Sequence, residues 1–251
     1  MSDKEIAILE YIDIAKVVSV EELSQKLSIS LSTVRRILEK LDQRKMIVRF
    51  HGGATAVFES RKCTALSLRY DRHKAEKELI AQKAVKQIQE GSTIIMLGGT
   101  TVYTMCKFLK RRKLRVITNS LIVLDALRDE NSLELIILGG IYNADESEMR
   151  GSLTISTLQL LGADALFSGA TAFDSNRGFL TSRIDSIELY SRCFQVSKKV
   201  YMLADSSKYA QTDVAVTAKV DDVDFLITDN GLPVEARNAF VKKGVQVLIA
   251  E

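Results

Sequence analysis

Ser28-Ile29-Ser30-Leu31-Ser32-Thr33-Val34-Arg35-Arg36, followed further along by Arg49-Phe50-His51-Gly52-Gly53-Ala54, decides how the first part of this 251-residue chain folds. Ser30 is a natural N-cap, because its hydroxyl accepts from an otherwise orphaned helix amide. At about 100° per residue, Val34, Ile37, Leu38 and Leu41 then share one side of a helix. Ser32, Arg35, Arg36, Glu39 and Gln43 share the other side, with Lys40 at its edge. Upstream, Ser19 and Glu22 form a capping-box pattern that opens a shorter helix bearing Leu23 and Leu27. Before it, Ile6, Leu9 and Ile12 recur at helical spacing and predict a first helix over residues 4–15. Two helices joined by a short polar turn, the second apolar on one face and cationic on the other, read as a helix-turn-helix. The apolar face anchors such a helix and the polar face presents donors to the major groove. Met46-Ile47-Val48-Arg49-Phe50 has strand character and Gly52-Gly53 supplies a permissive turn, so a basic β-wing follows. Arginine is shaped to grip guanine with two hydrogen bonds, and serine or threonine reaches phosphates or bases. The candidate DNA contacts are Ser30, Ser32, Thr33, Arg35, Arg36, Lys40, Arg49 and His51.

The whole-chain charge of +3 does not announce nucleic acid, but the local distribution does. Between residues 35 and 49 stand Arg35, Arg36, Lys40, Arg44, Lys45 and Arg49 against only Glu39 and Asp42. Concentrated basic charge is the electrostatic signature of phosphate contact. With 46% hydrophobic residues the chain can bury a substantial core. Cys63, Cys106 and Cys193 are odd in number and scattered, which argues against a disulfide framework and for a reducing compartment. His51 and His73 stand far apart without zinc-ligand spacing, so no metal and no cofactor is expected. No apolar run is long enough to span a bilayer, and the first residues lack a secretory apolar region. The expectation is a cytoplasmic protein with no membrane partner.

Residues 56–74 lack a clear period and read as a linker between a domain of residues 1–55 and a longer one of residues 75–251. In the longer domain, short apolar strands are predicted at 93–97, 114–118, 133–138, 164–168, 199–204, 225–228 and 246–249. Helical patterns at 75–89, 101–109, 121–128, 152–161, 184–196 and 234–242 alternate with them. Such alternation predicts an α/β fold with a mostly parallel sheet covered on both faces. Ligands in these folds bind outside the carboxyl ends of the strands. Polar clusters fall at those ends: Gly98-Gly99-Thr100-Thr101, Thr118-Asn119-Ser120, Gly139-Gly140, Gly169 and Asp205-Ser206-Ser207-Lys208. The first is neither GxGxxG nor a P-loop, and tight turns use the same residues for geometry alone. Lys208 offers a point charge for a phosphate. Asp185, Glu188 and Arg192 share a face of the helix predicted at 184–196, where a plain Glu188–Arg192 surface pair is the simpler reading.

Taken together, these motifs resemble the DeoR family of bacterial transcription regulators. The resemblance rests first on Val20-Glu21-Glu22-Leu23, Leu27-Ser28-Ile29-Ser30, Thr33-Val34-Arg35-Arg36, Leu38, Leu41 and Arg49-Phe50-His51-Gly52-Gly53-Ala54. It continues through Gly99-Thr100-Thr101, Val116-Ile117-Thr118-Asn119-Ser120-Leu121, Leu138-Gly139-Gly140, Gly151, Asp164, Gly169, Gly178, Asp185 and Glu188. It ends on Leu203-Ala204-Asp205-Ser206-Ser207-Lys208 and Leu226-Ile227-Thr228-Asp229. The resemblance implies a sensor domain similar in fold to ribose-5-phosphate isomerase that binds a phosphorylated sugar or related metabolite. By that implication Gly99, Thr100, Thr101 and Lys208 hold the phosphate, and Asn119, Asp185 and Glu188 meet the sugar hydroxyls. It also implies a homo-oligomeric repressor of carbohydrate-metabolism genes on double-stranded operator DNA, with no catalytic residue. Three positions depart from the family pattern: Ile37 and Leu97 stand where acidic residues are usual, and Arg44-Lys45 where a glycine is. Two other readings compete. One is a sugar-phosphate isomerase with an appended DNA-binding domain, and the other is an oligomeric regulator that needs no ligand.

Overall fold

The computed structural model describes residues 2–15, 17–44, 46–50, 52–56 and 68–251. His51 and Cys63 lie outside the described residues, as does most of the expected linker. The chain divides into two units, Met1–Leu68 and Arg69–Glu251.

In the first unit α1 (Asp3–Ala15) leads through β1 (Val17–Ser19) to α2 (Val20–Lys26) and α3 (Leu31–Gln43). The hairpin of β2 (Ile47–Phe50) and β3 (Gly53–Ala56) follows, and β1 joins it to give the order β1-β3-β2. Ser19 and Ser30 cap α2 and α3, accepting from Glu22 N and Thr33 N. Ser28, in the turn between these helices, takes a left-handed φ of 53°. The core is Ile8, Ile12, Leu23, Val34, Ile37, Leu38, Leu41 and Ile47. On α1 the buried stripe runs through Ile8 and Ile12, while Ile6, expected inside, is exposed. Strand β1 escaped the sequence reading because three residues carry no period. Ile37 is buried, which accounts for an apolar residue on this side of α3. At the end of α3, Met46 N donates to Leu41 O at 3.0 Å and so satisfies a terminal carbonyl.

The second unit opens on α4 (Leu68–Asp71) and α5 (Lys74–Val85), taking in Arg69 to Lys74 from the stretch expected to be linker. Helix α5 stops short of the expected residue 89 because its last turn tightens, with Gln87 N on Ala84 O and Ile88 N on Val85 O. Strand β4 (Thr93–Met96), α6 (Thr100–Met105), β5 (Leu114–Thr118), α7 (Leu121–Leu127) and β6 (Leu133–Ile137) come next. After a hairpin of β7 (Ile141–Asn143) and β8 (Glu148–Arg150) come α8 (Ser152–Leu158) and β9 (Ala165–Gly169). The chain then runs through β10 (Ala172–Asp174), β11 (Gly178–Thr181), α9 (Ile187–Val196), β12 (Val200–Leu203) and β13 (Ala215–Ala218). It closes with β14 (Phe225–Asp229), α10 (Val234–Lys242) and β15 (Gln246–Ala250).

All seven expected strands form one sheet in the order β15-β14-β12-β9-β4-β5-β6, with every pairing parallel. Both faces are covered. Ile94 and Met96 of β4 face one apolar cluster with Ile80 and Ala84, while Ile95 and Leu97 face another with Phe173, Leu189 and Phe240. Strand order reverses at β4, with β5 and β6 on one side and the later strands on the other. A crevice opens outside the carboxyl ends of β4 and β9, the usual ligand position in such sheets. The sequence reading missed the β7–β8 hairpin and the antiparallel sheet β10-β11-β13, both made of strands of three or four residues.

Candidate functional site

On α3 the side chains of Ser32, Arg35 and Arg36 are exposed and that of Thr33 is half-buried. Neither Arg35 nor Arg36 has an ion pair among the described residues. Lys40 and Arg44 differ, each lying 3.7 Å from a carboxylate oxygen of Glu5 on α1. The Ser2 amide, followed by the charges of Lys40 and Arg44, holds the Glu5 carboxyl below its usual range against the opposing effect of burial. Ser30 is occupied as a cap, its Oγ 2.8 Å from Thr33 Oγ1 and 3.3 Å from Ser32 Oγ. Arg49 is exposed on β2 and its amide donates to Asp42 Oδ1 at 3.3 Å, tying the wing to α3. Gly52 turns the wing at φ 91°, and a Cβ on Gly53 would lie 2.3 Å from Val18 O. The strands therefore close tightly only with glycine there.

The crevice of the second unit is a cleft of about 410 Å³. Gly98, Gly99, Thr100 and Thr101 line it together with Gly169, Asp205, Ser207 and Lys208, and with Arg69, Arg72 and Lys77. Gly99 adopts a φ of 129°, which an L side chain rarely takes. Lys208 sits 3.7 Å from the buried Asp205 carboxylate, whose other oxygen accepts from Ser207 Oγ. Burial pushes the Lys208 ammonium below its ordinary range, with Asp205 opposing. Lys77 is buried in α5, where its Nζ donates to Arg69 O and, at 2.6 Å, to Arg72 O. Burial first, then the nearby Lys208 charge, lowers its pKa to about 8. The Arg72 guanidinium has no carboxylate partner among the described residues. Arg69 pairs with Glu146 at 2.6 Å, and Arg183 pairs with Glu148. Burial works against the Arg183 charge, but Glu148, Glu146 and Asp185 together outweigh it and the pKa is raised.

Of the seven residues expected around a ligand, Gly99, Thr100, Thr101 and Lys208 line this cleft, and Asn119, Asp185 and Glu188 do not. Asn119 is buried, with Nδ2 donating to Met149 O at 2.9 Å. Asp185 lies on a 3-10 turn ahead of α9 and pairs with Arg150. Glu188 is exposed without an ion pair among the described residues, and Arg192 donates to Gln195 instead. Sequence reasoning passed over Arg69, Arg72, Lys77, Glu148 and Arg183, which reach the cleft from segments far apart in the chain. Among the described residues no group of acidic, histidine and cysteine side chains is arranged to hold a metal. No helix there is long and apolar enough to cross a membrane.

A winged helix-turn-helix carried on the same chain as an α/β unit with a cationic cleft is the build of a transcription regulator with a sensor domain. Residues 5–60 match the DeoR-like helix-turn-helix domain and residues 72–230 match the DeoR C terminal sensor domain. The chain belongs to the DeoR family of transcription regulators. It is 30% identical to the HTH-type transcriptional regulator YulB of Bacillus subtilis, over 98% of this chain and 96% of that one. It is 29% identical to the transcriptional repressor AccR of Agrobacterium fabrum, over 95% of this chain and 96% of that one. Among solved structures it is similar to ribose 5 phosphate isomerase A from Neisseria gonorrhoeae, at 17% identity and a TM-score of 0.40. That likeness covers 54% of this chain and 53% of the isomerase.

Proposed function

We propose that this protein is a cytoplasmic, homo-oligomeric repressor of carbohydrate-metabolism genes, which binds operator DNA less tightly when a phosphorylated sugar or related metabolite fills the cleft. The observation that carries this reading is a cleft lined both by the Gly99-Thr100-Thr101 turn and by Lys208, Lys77 and Arg72, the last without a carboxylate partner among the described residues. Three cations and a glycine turn suit a phosphate, and the hydroxyls of Thr100 and Thr101 suit its oxygens. AccR, named a transcriptional repressor, supports the sign of regulation. Effector control is a coupling free energy: a ligand that favours the arrangement unfit for DNA shifts the population toward it. Binding is favoured over turnover because the relatives are named transcriptional regulators and repressors.

A pair of crossed substitutions tests the reading in gel mobility shifts with DNA from the protein's own promoter region. Arg36→Ala is expected to weaken operator binding by about 1–3 kcal/mol while the response to sugar phosphates survives. Lys208→Ala is expected to keep DNA affinity and blunt that response. No preference of the wild type for that DNA over random duplex, or no response to any sugar phosphate, overturns the proposal.

A further inference from the structure

The lining of the cleft also holds a charged pair, Glu148 and Arg183, that phosphate binding leaves unused. Glu148 opens β8 and is 6% exposed. Its Oε1 accepts from Arg183, while Oε2 faces Gly98, where a Cβ would lie 2.9 Å away. The two neighbouring glycines therefore serve different needs. Gly99 is required by its φ of 129°, whereas Gly98 makes room for a carboxylate. Several bonds fix the backbone that carries Glu148. Ser120 and Glu148 form an antiparallel bridge, Leu121 N donates to Ser147 O at 2.8 Å, and Met149 N donates to Asn119 O at 2.8 Å. The Asn119 side chain closes the same grip on Met149 O, so its part in the site is to position Glu148. Ser147, just ahead, is held at a left-handed φ of 53°, the kind of local strain that persists only where surroundings enforce it.

We propose that Glu148 and Arg183 form the hydroxyl-reading end of the cleft, the Glu148 carboxylate accepting from neighbouring hydroxyls of a phosphorylated sugar and Arg183 donating to its ring or carbonyl oxygen. This rests on the cleft taking a sugar phosphate, as proposed above. A fixed carboxylate repels a second anionic group, so it orients the phosphate toward Lys208 and Arg72 and rejects phosphorylated carboxylic acids. The cleft thus selects for a neutral, hydroxyl-rich end as well as for phosphate.

Calorimetric titration of the full chain with a panel of aldose and ketose phosphates, and with 3-phosphoglycerate, tests this. The wild type is expected to bind its best sugar phosphate at least ten-fold tighter than 3-phosphoglycerate. In Glu148→Gln that ratio is expected to fall at least ten-fold, the sugar phosphate weakening while the phosphorylated acid tightens. A purely structural role for the pair weakens both ligands alike, and that result overturns the proposal. Gly98→Ala displaces the carboxylate without removing it and is expected to lower the ratio in the same sense, which keeps the test decisive if Glu148→Gln does not fold. An unchanged ratio in whichever variant folds overturns the inference but leaves the sugar-phosphate reading standing. A wild type that binds nothing in the panel overturns both.

Discussion

Lys77 is an ammonium sequestered under the segment that carries Arg69 and Arg72, and its charge is held by two backbone carbonyls. Its pKa of about 8 lies below the ordinary 10.5 because burial disfavours the charged form. Between those values the unfolded chain holds a proton that the folded one has lost, so stability from this group rises with pH and is flat below about 8. Lys77→Met removes that dependence. Wild-type stability relative to Lys77→Met is therefore expected to improve by on the order of 1–3 kcal/mol from pH 8 to pH 10, measured by urea unfolding. Parallel profiles for the two proteins would show that the folded lysine titrates normally. Nothing in the sequence singles this lysine out. It sits within an alanine-rich helix, and only the fold brings the Arg69 and Arg72 carbonyls over it. Lys208, by contrast, was legible because it follows a predicted strand, where a parallel sheet delivers side chains to its ligand-binding rim. The same contrast holds on α3. The outward face of Arg35 and Arg36 follows from helical period, while the Glu5 partner of Lys40 comes from another helix.

At the scale of elements, the seven strands of the main sheet were legible because each is a short apolar run bounded by turn residues. Strand β13, Ala215-Val216-Thr217-Ala218, has neither a sustained alternation nor a strong flanking turn, and pairs only because β11 lies beside it. Strand β8 is three residues long, so the element that delivers Glu148 left no periodic trace. That loss mattered more to the site than to the fold. The wing shows the opposite case, a glycine pair readable as a turn whose second member also has a packing role. A Cβ on Gly53 would meet Val18 O at 2.3 Å and Phe50 Cζ at 2.6 Å. Gly53→Ala must therefore push β3 from β1 or turn Phe50 aside. It is expected to cost about 1–3 kcal/mol of stability in the first unit and to weaken operator binding through the misplaced wing. Thermal unfolding and a mobility shift check this, and a variant equal to wild type in both would mean that the strand contact is dispensable.

At the scale of the whole molecule, effector control of operator binding carries one thermodynamic requirement. If a cleft ligand lowers operator affinity by some factor, the operator must lower ligand affinity by the same factor. Both readouts are accessible with one protein. Operator affinity is measured with and without saturating sugar phosphate, and ligand affinity is measured on the free protein and on the protein saturated with operator duplex. The two ratios are expected to agree, within a range of about 5- to 150-fold typical of allosteric coupling. Lys208→Ala is expected to weaken ligand binding on the free and the operator-bound protein alike while leaving both ratios equal to each other, because it removes a charge that the ligand shares with Asp205. Arg36→Ala is expected to weaken the DNA arm while leaving both ratios equal to each other, since recognition and coupling are separate quantities. A ligand that shifts operator binding while the operator leaves ligand affinity untouched cannot be acting through equilibrium binding at this cleft, and the switch would then have to lie elsewhere in the chain.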